Sequence, residues 1–211
     1  MKSDHTGVCS ITFGASARVD LKLSRKGHDE DAHPPVVFLL GHLGIGLGLA
    51  WLLSWKSLAR IDYRLVLLGA ILPDLIDKPL AYVTGLDSRL WAHTFLFLFA
   101  ILALSFVPAL RGFRLVGFGV ATHLLLDMIW NQPAIVLYPY YGWTFPAAPF
   151  NVDRWYDTLL HDPYVQFGEI VGSLYLIAFA WAHGIRSWRA LRNFIAHGTL
   201  PLIGPARLQK D

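Results

Sequence analysis

Seven ionisable side chains stand inside or beside long apolar runs of this chain: His42, Asp74, Asp77, His93, His123, Asp127 and Glu169. On insertion scales a charged group in hydrocarbon costs about 3 kcal/mol, so such groups mark sites rather than filler. His123 and Asp127 are four residues apart and share one face of a helix; Asp74 and Asp77, three apart, converge if their turn is helical. Three imidazoles with two or three carboxylates suit zinc, manganese or iron rather than a thiolate-seeking ion. The set is large enough for one metal with an open position, or for two metals sharing a carboxylate. A catalytic metal polarises a phosphoryl or carbonyl oxygen and acidifies water. Further carboxylates then act as general base or orient the ligands. Taken singly, each residue has a plainer reading as a helix cap, an ion-pair partner (Asp74 or Asp77 with Lys78) or an interfacial polar group.

The composition says where such a site would sit. Of 211 residues, 55% are hydrophobic, 14% aromatic and only 16% charged, against about 25% charged in a typical soluble domain. Mean hydropathy is +0.44. These figures exclude a disordered chain, a coiled coil and a disulfide scaffold, and they point to an integral membrane protein. Cys9 is the single cysteine, so neither an internal disulfide nor a cysteine-based metal site can form. The net charge of +3 does not indicate nucleic-acid binding, because the basic residues lie in short clusters between apolar runs.

Apolar segments follow at 36–55, 65–83, 91–110, 113–130 and 164–183. Their length and leucine content predict an all-α fold, a polytopic transmembrane helix bundle of about five spanning helices. Residues 1–35 read as a polar tail; the apolar run at 8–17 is too short and broken for a signal peptide. Residues 36–183 form the membrane domain, and 184–211 a basic C-terminal tail. Gly41, Gly44, Gly46 and Gly48 predict close packing of the first helix on a neighbour. If five helices alternate in direction, starts of odd helices and ends of even ones share a side. That rule puts all seven ionisable groups at one face of the bilayer. A nucleophile elbow and an HExxH motif are both missing from the sequence.

The matching blocks of a known family are Gly41-His42, Leu72-Pro73-Asp74-Leu75-Ile76-Asp77-Lys78-Pro79, Arg89-Leu90-Trp91-Ala92-His93-Thr94 and His123-Leu124-Leu125-Leu126-Asp127, followed by Tyr138-Pro139 and Gly142-Trp143. With them the chain resembles the membrane-bound metal-dependent hydrolases, some of whose members are labelled LexA-binding inner-membrane hydrolases. The resemblance runs over about residues 36–183. It implies a helical membrane protein with a bound divalent metal, and it carries over His42, Asp74, His93, His123 and Asp127 as metal ligands. Two histidines of some members are missing here, where Ser88-Arg89-Leu90 and Pro73-Asp74-Leu75-Ile76-Asp77-Lys78 stand instead.

The expected function is metal-dependent hydrolysis of a phosphoester or other ester in a lipid-like, membrane-proximal substrate. Zinc is the first choice of metal, with manganese or iron as alternatives. Asp77 or Glu169 is the expected base or ligand-orienting partner. Arg89 is expected either to steady a substrate phosphate or to snorkel as an interfacial side chain, and the aromatic loop at 138–150, with Trp143, either to cover the site as a substrate-binding lid or to be a plain interfacial loop. Transport of metal or protons and a membrane-adaptor role are the competing readings. Lys56, Arg60, Arg64, Arg111 and Arg114, with the basic C-terminus, lie at the end opposite the ligands. The positive-inside rule then turns the metal site outward from a prokaryotic inner membrane, although the basic residues of the N-terminal tail argue the other way.

Overall fold

The structure, a computed structural model, describes residues 38–54, 61–145, 152–198 and 200, all within the compact unit Pro34–Asp211. The tail expected at 1–35, the loop residues 146–151 and the last eleven residues lie outside the described residues. Among the described residues the fold is all helical: α1 (Leu39–Ser54), α2 (Tyr63–Thr84), α3 (Phe95–Leu104), α4 (Phe113–Leu126), α5 (Pro133–Val136), α6 (Val152–His161), α7 (Pro163–Ala182) and α8 (Trp188–His197). Short 3-10 turns lie at Trp91–His93, Pro108–Leu110 and Ile129–Asn131.

Local sequence explains the boundaries. Asp62 caps α2 by accepting from Arg64 N–H, and Gly85 ends it with φ of 69°. Thr94 caps α3 directly after His93. Asp162 accepts from the Tyr164 and Val165 amides ahead of α7, whose first residue is Pro163. Pro73 and Pro79 stand inside α2; neither can donate the helical bond to the fourth residue back, which loosens the turns that carry Asp74 and Asp77.

One helix among the described residues, α7, has both the length and the apolar composition to cross a membrane. The apolar helices α1, α3 and α4 are shorter, at 16, 10 and 14 residues. α2 is long enough at 22 residues but carries Arg64, Asp74, Asp77 and Lys78. The third expected segment, 91–110, is broken into a 3-10 turn, α3 and a second 3-10 turn. α6 and α8 stand where a loop and a tail were expected; both are amphipathic, so neither shows as an apolar run. Along α7, Phe167, Ile170, Leu174, Ile177 and Trp181 form an exposed stripe of three- and four-residue steps. A soluble monomer seldom exposes such a surface, whereas a lipid-facing helix does.

Two glycine crossings set the packing. α2 lies along α4 and α1 along α7. A Cβ on Gly69 would fall 2.1 Å from the Val116 carbonyl oxygen, and one on Gly119 would fall 2.3 Å from that of Val66. Gly44 and Gly172 do the same for α1 and α7, where a Cβ on Gly44 would lie 1.9 Å from the Gly172 oxygen. The glycine series of α1 is thus used for packing: Gly48 faces the Tyr175 ring, and Gly46 faces Thr122 and Ala70. We expect Gly119→Val to destabilise the bundle by about 1–3 kcal/mol through overpacking, measured as a lower denaturation midpoint in detergent. An unchanged midpoint would mean that α2 and α4 do not approach this closely.

Candidate metal centre

The helices bring His42, Asp74, Asp77, Arg89, His93, His123 and Asp127 into one cluster. All but Asp74 are buried to at least 96%, and the Asp74 side chain is 18% exposed. α1 supplies His42, α2 supplies Asp74 and Asp77, and α4 supplies His123 with Asp127 just past its end. The segment between α2 and α3 supplies Arg89 and His93.

Asp77 organises that segment. Its carboxylate accepts from the backbone N–H groups of Leu90 (2.7 Å), Ala92 (3.0 and 3.1 Å) and His93 (3.2 Å), and from His93 Nδ1 at 2.7 Å. A carboxylate only accepts, so His93 carries its proton on Nδ1 and its Nε2 lone pair faces the cluster. His123 is fixed in the same way by a backbone group: its Nδ1 lies 2.8 Å from the Ala70 carbonyl oxygen, which also only accepts. The Gly69–Gly119 crossing places Ala70 and His123 within this reach.

The consequence is an opposed pair. The Nε2 atoms of His93 and His123 are 3.2 Å apart, and when both rings are neutral each points its lone pair at the other. Around them stand Asp74 Oδ1, at 3.7 Å from His93 and 3.8 Å from His123, and Asp127 Oδ2, at 3.6 and 4.0 Å. A cation between the imidazoles removes the repulsion. Neighbouring ligand atoms on a tetrahedral zinc are about 3.3 Å apart, close to the 3.2 Å between the two Nε2 atoms. Among the described residues, His42 with Asp74 and His123, and His93 with His123 and Asp127, are groupings whose ligand atoms all lie within 4.8 Å of one another.

Charge and unmet hydrogen bonds support the same conclusion. Three carboxylates, Asp74, Asp77 and Asp127, face two fixed cations, Lys78 and Arg89. Lys78 Nζ donates to Asp74 Oδ2 at 2.6 Å, and Arg89 Nε donates to Asp127 Oδ2 at 3.0 Å. Both nitrogens of His42, Asp127 Oδ1 and Arg89 Nη2 are buried without a hydrogen bond, although His42 Nε2 lies 3.2 Å from Asp127 Oδ1. The His42 ring stacks on that of His123 at 4.0 Å. Buried polar atoms normally have partners, and these four go without one.

Two of the expected site residues stand elsewhere. Glu169 accepts from the Leu40 and Gly41 amides at 3.2 and 2.7 Å, capping the start of α1 one residue before His42. Trp143 is 81% exposed and packs edge-on to Tyr138 rather than against the cluster. The described part of the aromatic loop docks on the segment that carries His93: Trp91 meets the Tyr138 and Phe145 rings at 4.9 and 5.3 Å. Arg89 is not an interfacial side chain but a buried partner of Asp127. Asp87 was not anticipated as part of the site. It accepts from Arg89 N–H in an Asx turn, and the Asp-x-Arg spacing is its sequence signal. The Ala70 carbonyl has no side-chain signal at all.

Because the Arg89–Asp127 pair is buried, Arg89→Met or Asp127→Asn alone leaves an unpaired buried group and should cost about 3–5 kcal/mol. The double variant should cost clearly less than the sum. Strictly additive denaturation midpoints would show that the two side chains do not pair.

The family model described as YdjM inner membrane protein matches residues 38–195, most of the chain and every residue of the cluster. No curated protein matches the sequence, and no solved structure does.

Proposed function

The chain belongs to the YdjM inner membrane protein family, and from that premise and the cluster's geometry we propose a multi-span metal-dependent membrane hydrolase. Its substrate is a phosphoester, or a related ester, in a lipid-like or membrane-proximal molecule. The observation that carries this reading is the opposed His93 and His123 Nε2 pair with Asp74 and Asp127 beside it. His42, Asp74, His93, His123 and Asp127 hold one divalent ion, zinc before manganese or iron. When bound, such an ion supplies Lewis acidity toward a phosphoryl oxygen and toward water.

The chain's own residues divide the remaining work. Asp77 and the Ala70 carbonyl keep the ring protons on Nδ1, so both Nε2 atoms stay available as ligands. Asp77 is saturated by backbone donors and fully buried, which suits a positioning residue better than a base. Glu169 positions α1, and with it His42, through the Leu40 and Gly41 amides. Arg89 is held by Asp127 through Nε while its Nη2 has no partner, so it can bind a phosphoryl oxygen. Asp74 is the least buried member, so water and substrate enter on the Asp74–Lys78 side. The cluster lies at the start of α1 and the end of α4, opposite Arg111, Arg114 and α8. The positive-inside rule then turns it away from the cytoplasm.

Detergent-purified wild type should hold about one equivalent of zinc, manganese or iron by elemental mass spectrometry, and His93→Ala and His123→Ala should lose it. Asp77→Asn should weaken retention about 10- to 100-fold against a chelator. The loaded protein should hydrolyse a phosphatidic acid or polyprenyl phosphate analogue, and Arg89→Met should raise KM. Bound metal without turnover of any ester, but with metal exchange across vesicles, would replace the hydrolase by a transporter.

A further inference from the structure

α8 has no part in the metal centre, yet it is built with care. Ser187 Oγ caps its start by accepting from Ala190 N–H at 3.2 Å, and Gly198 ends it with φ of 68°. Its C-terminal end is fastened to the first turn of α2. Arg64 Nη1 donates to the Ile195 and Ala196 carbonyl oxygens at 2.8 and 2.7 Å, and Tyr63 N–H donates to that of Gly198 at 3.0 Å. Asp62 holds the same guanidinium at 2.9 Å. A helix latched at its end has a fixed rotation, and its faces can be read.

Phe194 is buried in a cluster with Leu47, Ala50, Tyr63 and Phe179, and Leu191 packs against it. The adjoining arc of the wheel carries Trp188 and Ile195, which are 72% and 56% exposed. The next arc carries Arg192 and Arg189, both exposed. Arg186 lies just upstream, its guanidinium 5.7 Å from the ring centre of Trp181 on the exposed stripe of α7. The sequence holds no Asp or Glu between Glu169 and Asp211. Arg111 and Arg114 sit at the same end, because Gly112 between them approaches Leu65 of α2.

We propose that α8 is an in-plane anchor on an anionic phospholipid leaflet, with Trp188 and Ile195 in the acyl boundary and Arg186, Arg189 and Arg192 on lipid phosphates. Three observations select this occupant. The exposed apolar arc of Trp188 and Ile195 has no partner among the described residues, the flanking arc carries Arg189 and Arg192 and no acidic residue, and α8 follows α7, which is long and apolar enough to cross a membrane, after five residues. The inference does not depend on the hydrolase reading.

The test uses the full chain with Cys9→Ser, carrying a nitroxide at Ile195→Cys or Asn193→Cys, in phosphatidylcholine vesicles with and without phosphatidylglycerol. The Ile195 label should be reached by oxygen and shielded from an aqueous nickel chelate, and the Asn193 label should show the reverse. Equal chelate access at both positions overturns the proposal. So does shielding of Ile195 that appears only at high protein density, which would indicate a second copy. Each engaged arginine should favour phosphatidylglycerol over phosphatidylcholine by about fivefold. Arg186→Gln, Arg189→Gln and Arg192→Gln together should bring lipid selection near parity, and the corresponding Lys triple should keep it. Unchanged selection in the Gln triple would overturn the headgroup assignment.

Discussion

Asp77 is a carboxylate with no exposure that spends every acceptor site on one short stretch of chain. It ties down the amides of Leu90, Ala92 and His93 and also accepts a hydrogen bond from His93 Nδ1–H. The first three bonds pull the turn between α2 and α3 inward, which breaks what would otherwise be one continuous apolar helix. The fourth sets the ring's tautomer. With the segment held, Arg89 reaches Asp127 and His93 meets His123. In a low-dielectric interior such charge-assisted bonds are strong, and losing one partner is costly. The cluster therefore depends on Asp77 before it depends on any of the residues proposed to hold a metal.

The second constraint is how close the helices come. The Gly69–Gly119 crossing brings the backbones of α2 and α4 close together, and His123 bonds to the Ala70 carbonyl across it. Gly44 and Gly172 do the same at the other pair, and Glu169 lies three residues before Gly172, where it meets the amides that precede His42. Each crossing thus aims one imidazole. The small residues serve helix association, as in membranes generally, and they also set the positions of the polar groups. The cost of this arrangement is visible in the cluster itself, where buried atoms of His42, Asp127 and Arg89 go without hydrogen bonds.

Much of the centre was legible in the sequence because charge is conspicuous in an apolar chain. Residue type and helix alternation were enough to group His42, Asp74, His93, His123 and Asp127 at one end. The all-helical class followed from segment length. What sequence could not convey was the partnership of each group. Asp77, inside the cluster, and Glu169, at the start of α1, are both carboxylates of the expected set, but the backbone amides that fill their acceptors carry no sequence mark. Arg89 reads as interfacial until its turn is folded inward, and Trp143 reads as a lid until its ring is seen exposed. α6 and α8 escaped notice because amphipathic helices of ten residues do not form apolar runs. The count of five spans rests on apolar length alone. α2 carries Asp74, Asp77 and Lys78 within the helix, and 91–110 is divided, which leaves α7 as the clear candidate span among the described residues.

The central claim is that His93 and His123 aim two lone pairs at a single cation. X-ray absorption at the metal edge of zinc-loaded, detergent-purified protein tests it most directly. The account predicts a first shell of nitrogen and oxygen at about 2.0–2.2 Å with multiple scattering from at least two imidazoles in wild type, and loss of that shell in His93→Ala, which does not retain the ion. A shell without imidazole scattering, or one identical in wild type and variant, would contradict it.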